Sequence, residues 1–67
     1  MDLDFDKEWD FVTKATHQMA KSRVAGELVF ILQILLDRLQ AAKGTKQRIF
    51  LCSIYLRTKN EYLKLAK

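Results

Sequence analysis

The sequence LVFILQILLDRLQAAKGT, residues 28–45, joins a strongly apolar segment to a turn and thereby sets the arrangement of the helices. In its first nine residues only Gln33 is polar. Apolar residues recur there at steps of 4, 3, 4 and 3, namely Leu28, Leu32, Leu35, Leu39 and Ala42. This spacing predicts a helix over about residues 23–43. Because neighbouring positions are also apolar, the helix must be covered on more than one side, by two companions of the same chain or by one companion and a second chain.

The turn around Gly44 predicts an antiparallel hairpin between the second and third helices. Gly44 suits the left-handed position after a helix C-terminus, and Lys43 favours that terminus through the helix dipole. Thr45 is expected to cap the third helix, over about residues 46–66. Lys59 lies within the broad apolar arc of that helix, so we expect its side chain to pass an edge of the arc or to pair with an acid.

A first helix is predicted over about residues 4–21, with Asp4 as its N-cap. Its apolar stripe, again at steps of 4 and 3, consists of Phe5, Trp9, Val12, Thr16 and Met19. Phe11 and His17 fall off this stripe, so Phe11 is expected to be exposed. A change of phase near Ser22, itself a candidate N-cap, favours a bend between the first two helices over one long rod.

The composition predicts one all-α domain, residues 1–67, that gains stability from association. A chain of 67 residues has a small core, and folds of this size commonly rely on disulfides, metals or oligomerisation. Cys52 is the only cysteine and His17 the only histidine, so neither an internal disulfide nor a four-ligand zinc site can form from them. Of these sources of stability, oligomerisation or a partner chain is therefore the one that remains.

Charge is distributed unevenly along the chain. Residues 1–10 hold five acids and one base, a net charge of −4, and residues 11–67 hold three acids and 11 bases, a net charge of +8. Helix capping and a solvated surface account for such a pattern, and so does attraction to acidic partners. No apolar run reaches membrane-spanning length, and the acidic start differs from a secretory signal, so we predict a cytoplasmic, intracellular protein.

Signatures of catalysis are missing from the sequence. It contains no Gly-rich phosphate loop, no HExxH and no CxxC. Cys52 and His17 could act as nucleophile and base, but Cys52 lies in the apolar run IFLCSIYL, where an inert buried thiol is the commoner outcome. We therefore predict a protein that is not an enzyme, that needs no cofactor or metal, and that has no small-molecule substrate.

A protein partner is the function that the apolar residues favour. Four large apolar side chains fall off the main seams and are the predicted contact residues: Phe11, Phe30, Ile34 and Phe50. The expected protein is a regulator, adaptor or inhibitor subunit that docks an apolar helical face on another protein or on itself. In a homodimer the second helix would be central, and two hairpins would form a four-helix bundle flanked by the first helices.

The alternative function is nucleic-acid binding by a dimer through the third helix. Four basic residues there could contact phosphates or complement an acidic protein, namely Lys46, Arg48, Arg57 and Lys64. The basic residues of this helix are scattered around it, since Arg48 and Lys59 project differently from Arg57 and Lys64. This scatter and the turn KGTKQ, which does not fit a helix-turn-helix motif, count against DNA binding. A role at a membrane surface ranks lower, because the apolar arcs match each other across the hairpin.

Overall fold

The computed structural model describes residues 3–18 and 22–65, which form three helices and, within those ranges, no strand. Helix α1 spans Phe5–Gln18, α2 spans Arg23–Ala41, and α3 spans Thr45–Leu65. The predicted all-α fold of three helices is thus confirmed. The end of the predicted first helix, including Met19, lies outside the described residues.

Two of the predicted helix caps are present. The Asp4 carboxylate accepts a hydrogen bond from the Lys7 backbone N–H at 3.3 Å, which caps α1. The Ser22 hydroxyl accepts one from the Ala25 backbone N–H at 3.4 Å, which caps α2. Each cap satisfies a backbone donor that the first turn of a helix leaves free, so the chain begins a separate α2 at the predicted bend.

The turn between α2 and α3 differs from its prediction. Helix α2 ends at Ala41, and Ala42 leaves it in an extended conformation with φ −70° and ψ 131°. Because an extended residue ends the helix, no left-handed residue is needed, and Gly44 does not have a positive φ. The Gly44 carbonyl instead accepts the Arg48 backbone N–H at 3.0 Å. Gly44 therefore holds the N-cap position of α3, and Thr45 is its first helical residue rather than its cap.

The core lies between α2 and its two companions. Helix α2 contributes more buried residues than either companion, and its stripe of leucines is buried as the spacing predicts, apart from Leu28, which is half-buried. The buried core residues are Val12, Ala15, Val29, Leu32, Leu35, Leu36, Leu39, Ala42, Leu51, Tyr55 and Tyr62. Burial of these side chains supplies most of the driving force for folding.

Helices α1 and α3 run parallel to each other and antiparallel to α2. Glu8 of α1 contacts Tyr55 of α3, and Phe11, one turn later, contacts Tyr62. Thr16 of α1 accepts a hydrogen bond from the Gln33 side chain of α2 at 3.0 Å. Both companions of α2 thus come from the same chain, and they pack on the same broad side of it.

Candidate interaction surface

The side of α2 that faces away from α1 and α3 carries large exposed apolar side chains. At about 100° per residue, Phe30 and Ile34 each lie about 160° around the helix from the buried Leu32. Phe30 is 62% exposed and Ile34 is 39% exposed. The structure therefore places these two predicted contact residues next to each other, one helical turn apart, on the open side of α2.

Two further residues extend this surface and were not among the sequence predictions. Val24 is 54% exposed and Ile31 is 42% exposed. We call Val24, Phe30, Ile31 and Ile34 the α2 apolar strip. A shallow groove of about 550 Å³ lies beside Phe30 and Ile31, with Gly26 in its wall. The spacing of Val24, Ile31 and Ile34 is the sequence signal for this strip, because these positions lie on a side of α2 away from the buried leucines.

Charged residues border the α2 apolar strip. Glu27 lies beside it, between Val24 and Ile31 along the helix, and forms an exposed pair with Arg23, one turn earlier, with 3.6 Å between its carboxylate and the Arg23 guanidinium. Arg38 lies one turn beyond Ile34, is exposed, and forms no ion pair with any residue that the structure describes. The strip thus has an acid near one end and a base near the other.

Phe11 does not belong to an exposed surface, so that expectation is wrong. Its ring meets the Tyr62 ring edge-on, with 5.8 Å between centroids. The Lys59 ammonium lies over the Phe11 ring, 4.6 Å from its centroid. Such aromatic and cation–π contacts stabilise a partly buried ring, so Phe11 holds α1 against α3 within the chain.

Phe50 is separate from the α2 apolar strip, since it belongs to α3 near the turn. It is 65% exposed, and its neighbour Ile49 is 62% exposed. Phe50 shares the outer side of α3 with Lys46 and Arg57, because these three positions fall within about 40° of one another around the helix.

Three of the four predicted basic residues lie along one side of α3. Lys46, Arg57 and Lys64 are exposed and separated by 11 and 7 residues, which places them within about 20° of one another. The rise of ~1.5 Å per residue spreads them over about 27 Å of the helix. Arg48 is half-buried and points elsewhere, into a groove of about 400 Å³ between α3 and the start of α1. The basic stripe of α3 is therefore Lys46, Arg57 and Lys64.

A polar cluster connects α1 to α3. The Tyr55 hydroxyl donates to a Glu8 carboxylate oxygen at 2.6 Å, and the Lys59 ammonium donates to the same oxygen at 3.0 Å. Of the two alternatives predicted for Lys59, passing an edge of the apolar arc or pairing with an acid, the structure shows the pair with an acid. Burial, the hydrogen bond to Glu8 and the charge of that carboxylate raise the pKa of Tyr55, so its hydroxyl stays protonated and donates. Short charge-assisted bonds of this kind fix α1 in position.

Groups that could perform covalent or metal chemistry are not brought together. Cys52 lines the groove near Phe5, whereas the exposed His17 lies twelve residues further along α1, about 18 Å away along the helix axis. In residues 3–18 and 22–65 no three metal-ligating side chains form a cluster. Across the same ranges, none of the helices combines the length and apolarity needed to cross a bilayer.

By fold, the chain is a small bundle of three helices with an open apolar side on its central helix. Comparisons with models of protein families, with curated proteins and with solved structures find no match. The α2 apolar strip and the basic stripe of α3 are therefore interpreted from their own chemistry.

Proposed function

We propose that this chain is a small, non-catalytic protein-interaction module that docks the α2 apolar strip on a partner protein. The observation that carries the proposal is the exposure of Phe30, Ile31 and Ile34 on one side of a helix whose other side is filled by α1 and α3. Exposed apolar side chains that adjoin each other are typical of interfaces, whereas isolated ones are ordinary on protein surfaces.

Docking of this kind would use hydrophobic burial for affinity and the bordering charges for orientation. Phe30 projects beside a groove, which suits the packing of an aromatic anchor against a partner helix. Glu27 and Arg38 would then favour partners with charges in the opposite order and would speed the encounter. A regulator, adaptor or inhibitor subunit works in this way, with the bound face changing the activity or solubility of its partner.

Site-specific photo-crosslinking in cells that express the chain tests the proposal. A photoreactive phenylalanine analogue at position 30 should give a discrete protein adduct, because that side chain would lie within an interface. The same analogue at exposed Thr13 of α1 is the matched control and should give no such adduct. Absence of any adduct at position 30, or equal labelling at both positions, would contradict the proposal. The mass of the adduct identifies the partner.

A second candidate function is nucleic-acid binding through the basic stripe of α3. The alignment of Lys46, Arg57 and Lys64 on one side favours it, since a stripe of this type can follow a phosphate backbone. Fluorescence anisotropy with a labelled DNA duplex tests it at low salt. Binding should weaken steeply with added salt, and replacing Arg57 and Lys64 by alanine should lower the slope by about 0.9 for each lost phosphate contact. No binding at low salt would end this hypothesis.

A further inference from the structure

Six exposed residues of α2 form a second heptad seam, on a side of the helix that is separate from its buried leucines. They follow one another at steps of 3, 4, 3, 4 and 3, and all six are exposed: Val24, Glu27, Ile31, Ile34, Arg38 and Ala41. This spacing is the one by which two helices pack along a shared seam. Since α1 and α3 occupy the other side of α2, a further helix can approach this seam along its whole length.

We infer that the partner at this seam is a second copy of this chain, packed antiparallel through α2 about a two-fold axis. The inference rests on the proposed function and names its partner. An axis that passes between Ile31 and Ile34 sets each Ile31 against the Ile34 of the second copy. The same axis brings Val24 opposite Ala41 of the second copy, so apolar positions meet apolar positions at both sites.

Charge complementarity selects this arrangement. In the antiparallel register Glu27 of each copy meets Arg38 of the other, which gives two interchain ion pairs from residues that lie in the seam itself. A parallel arrangement would set Glu27 against Glu27 and Arg38 against Arg38, and like charges in direct opposition disfavour association. On association, Glu27 would lose its exposed ion pair with Arg23 of the same chain and form one with Arg38 of the second copy. Each Arg38 would thereby gain an ion-pair partner.

The groove beside Phe30 fits the same register. Four of the six residues that line it, Arg23, Gly26, Glu27 and Phe30, have the i, i+3, i+4, i+7 spacing of a hole that receives a side chain from a facing helix. In the antiparallel register the side chain opposite this hole is Arg38 of the second copy. Its aliphatic stem would fill the space that Gly26 leaves, while its guanidinium reaches Glu27 and the face of the Phe30 ring.

The size of the seam indicates a dimer of moderate affinity. A helix of 19 residues is about 28 Å long and ~10 Å wide, so one face packed on an identical helix buries on the order of 500 Å² per copy. The total of about 1,000 Å² is at the lower end of specific protein interfaces. The dimer should therefore dissociate reversibly, with a dissociation constant in the micromolar range, roughly 1–100 µM.

Charge reversal tests both the dimer and its register. Sedimentation equilibrium of the purified chain should show reversible formation of a species twice the 7.9 kDa of one chain. Glu27→Arg alone and Arg38→Glu alone should each weaken self-association by about tenfold or more, because each turns two attractive pairs into repulsive ones. An equimolar mixture of the two variants, and the double variant Glu27→Arg/Arg38→Glu, should both regain the dimer.

Controls and contrary outcomes separate this inference from the proposed function. Asp10→Arg changes the charge equally and breaks a similar exposed pair, the one with Lys14, so it should leave self-association unchanged. Circular dichroism checks that each variant keeps its helicity, and rescue in the mixture shows directly that the reversed chains still fold. A wild-type chain that stays monomeric at about 500 µM, or a double variant that stays monomeric, overturns the inference. Adducts of a different protein at position 30 would then still support the proposed function.

Discussion

Replacing Tyr55 by phenylalanine removes one hydroxyl from the middle of the bundle and tests whether the polar cluster holds α1 in place. Tyr55 is completely buried, and its hydroxyl donates to the Glu8 carboxylate at 2.6 Å. Phenylalanine fills nearly the same volume, so packing is retained and the hydrogen bond alone is lost. The Glu8 carboxylate then keeps Lys59, at 3.0 Å, as its partner on α3.

The size of the expected loss of stability follows from the charge on the hydrogen-bond acceptor, the Glu8 carboxylate. A hydrogen bond to an ionised group contributes about 1.5–3 kcal/mol, roughly twice the value of a neutral one. Since Lys59 and water still satisfy part of the carboxylate, we expect a loss of about 2 kcal/mol in the free energy of unfolding. For a domain of this size each 1 kcal/mol corresponds to about 4–8 °C, so the melting temperature should fall by about 10 °C.

Tyr62→Phe is the matched control, because it makes the same change at a second buried tyrosine of the same helix. Tyr62 is 5% exposed, and its hydroxyl has no hydrogen-bond partner within the described ranges. Loss of the Tyr62 hydroxyl should lower the free energy of unfolding by less than about 0.5 kcal/mol. Thermal unfolding followed by circular dichroism, at one fixed protein concentration, compares the two variants. Equal decreases in melting temperature for both variants, or no decrease for Tyr55→Phe, would refute the reasoning.

The same cluster predicts how stability changes at alkaline pH. Burial first, and then the hydrogen bond and charge of Glu8, raise the pKa of Tyr55 above its ordinary value near 10. The folded state therefore keeps a proton that the unfolded state releases. This stabilisation is fully present below pH 10 and is lost as the pH rises further, by up to about 1.4 kcal/mol per pH unit. In the Tyr62→Phe variant, tyrosinate absorbance should appear only as the chain unfolds. Early ionisation in the folded state would contradict the prediction.

Two further predictions use aromatic and glycine positions. Phe11→Ala should destabilise the fold by about 2–3 kcal/mol, because Phe11 packs between Tyr62 and Lys59, whereas Phe50→Ala should change stability by less than about 0.5 kcal/mol. Equal losses of stability for Phe11→Ala and Phe50→Ala in chemical denaturation would contradict the placement of Phe11 inside the bundle and of Phe50 on its surface. Gly44→Ser should raise the free energy of unfolding by about 0.5–1 kcal/mol, since Gly44 holds an N-cap position, has no positive φ, and leaves open space where a side chain would begin. A loss of 1 kcal/mol or more would indicate the left-handed conformation instead.

Much of the fold could be predicted because local signals and the apolar spacing agree. The leucines of α2 lie on one stripe, Ser22 and Asp4 are caps, and all of them behave in the structure as the sequence predicts, except for the half-buried Leu28. The sequence alone does not determine the conformation of Gly44, because a glycine after a helix has two common uses, the left-handed C′ position and the N-cap of the next helix. Only the backbone of Ala42 decides between them, and its extended conformation is not encoded in any local residue preference.

The contact surface could be predicted only in part, because a single helix does not reveal which of its neighbours reach it. The sequence predicts Phe11 on the surface, because Phe11 lies off the stripe that faces α2. Long side chains of α3, Tyr62 and Lys59, reach across to it and bury it from another side. Phe30 and Ile34, by contrast, are exposed since no helix of the described chain covers that side of α2.

The apolar character of the open side of α2 has little use within a single chain. From their fractional exposures, the four strip residues leave roughly 350 Å² of apolar surface in contact with water. At about 25 cal/mol per Å², burying it would yield roughly 9 kcal/mol per copy, none of which the isolated bundle gains. Association costs about 4–15 kcal/mol, so two such strips packed together leave a modest surplus.

Polar substitutions at these positions should thus leave one chain as stable as before and should weaken only the association inferred above. This separation distinguishes an interface from a core. The core needs Leu32 and Tyr55 in every copy whether or not a partner is present, and their replacement would lower the stability of the monomer at any concentration. Ile31 and Ile34 should matter only when a second surface covers them, so their contribution should appear as a dependence of the melting temperature on protein concentration.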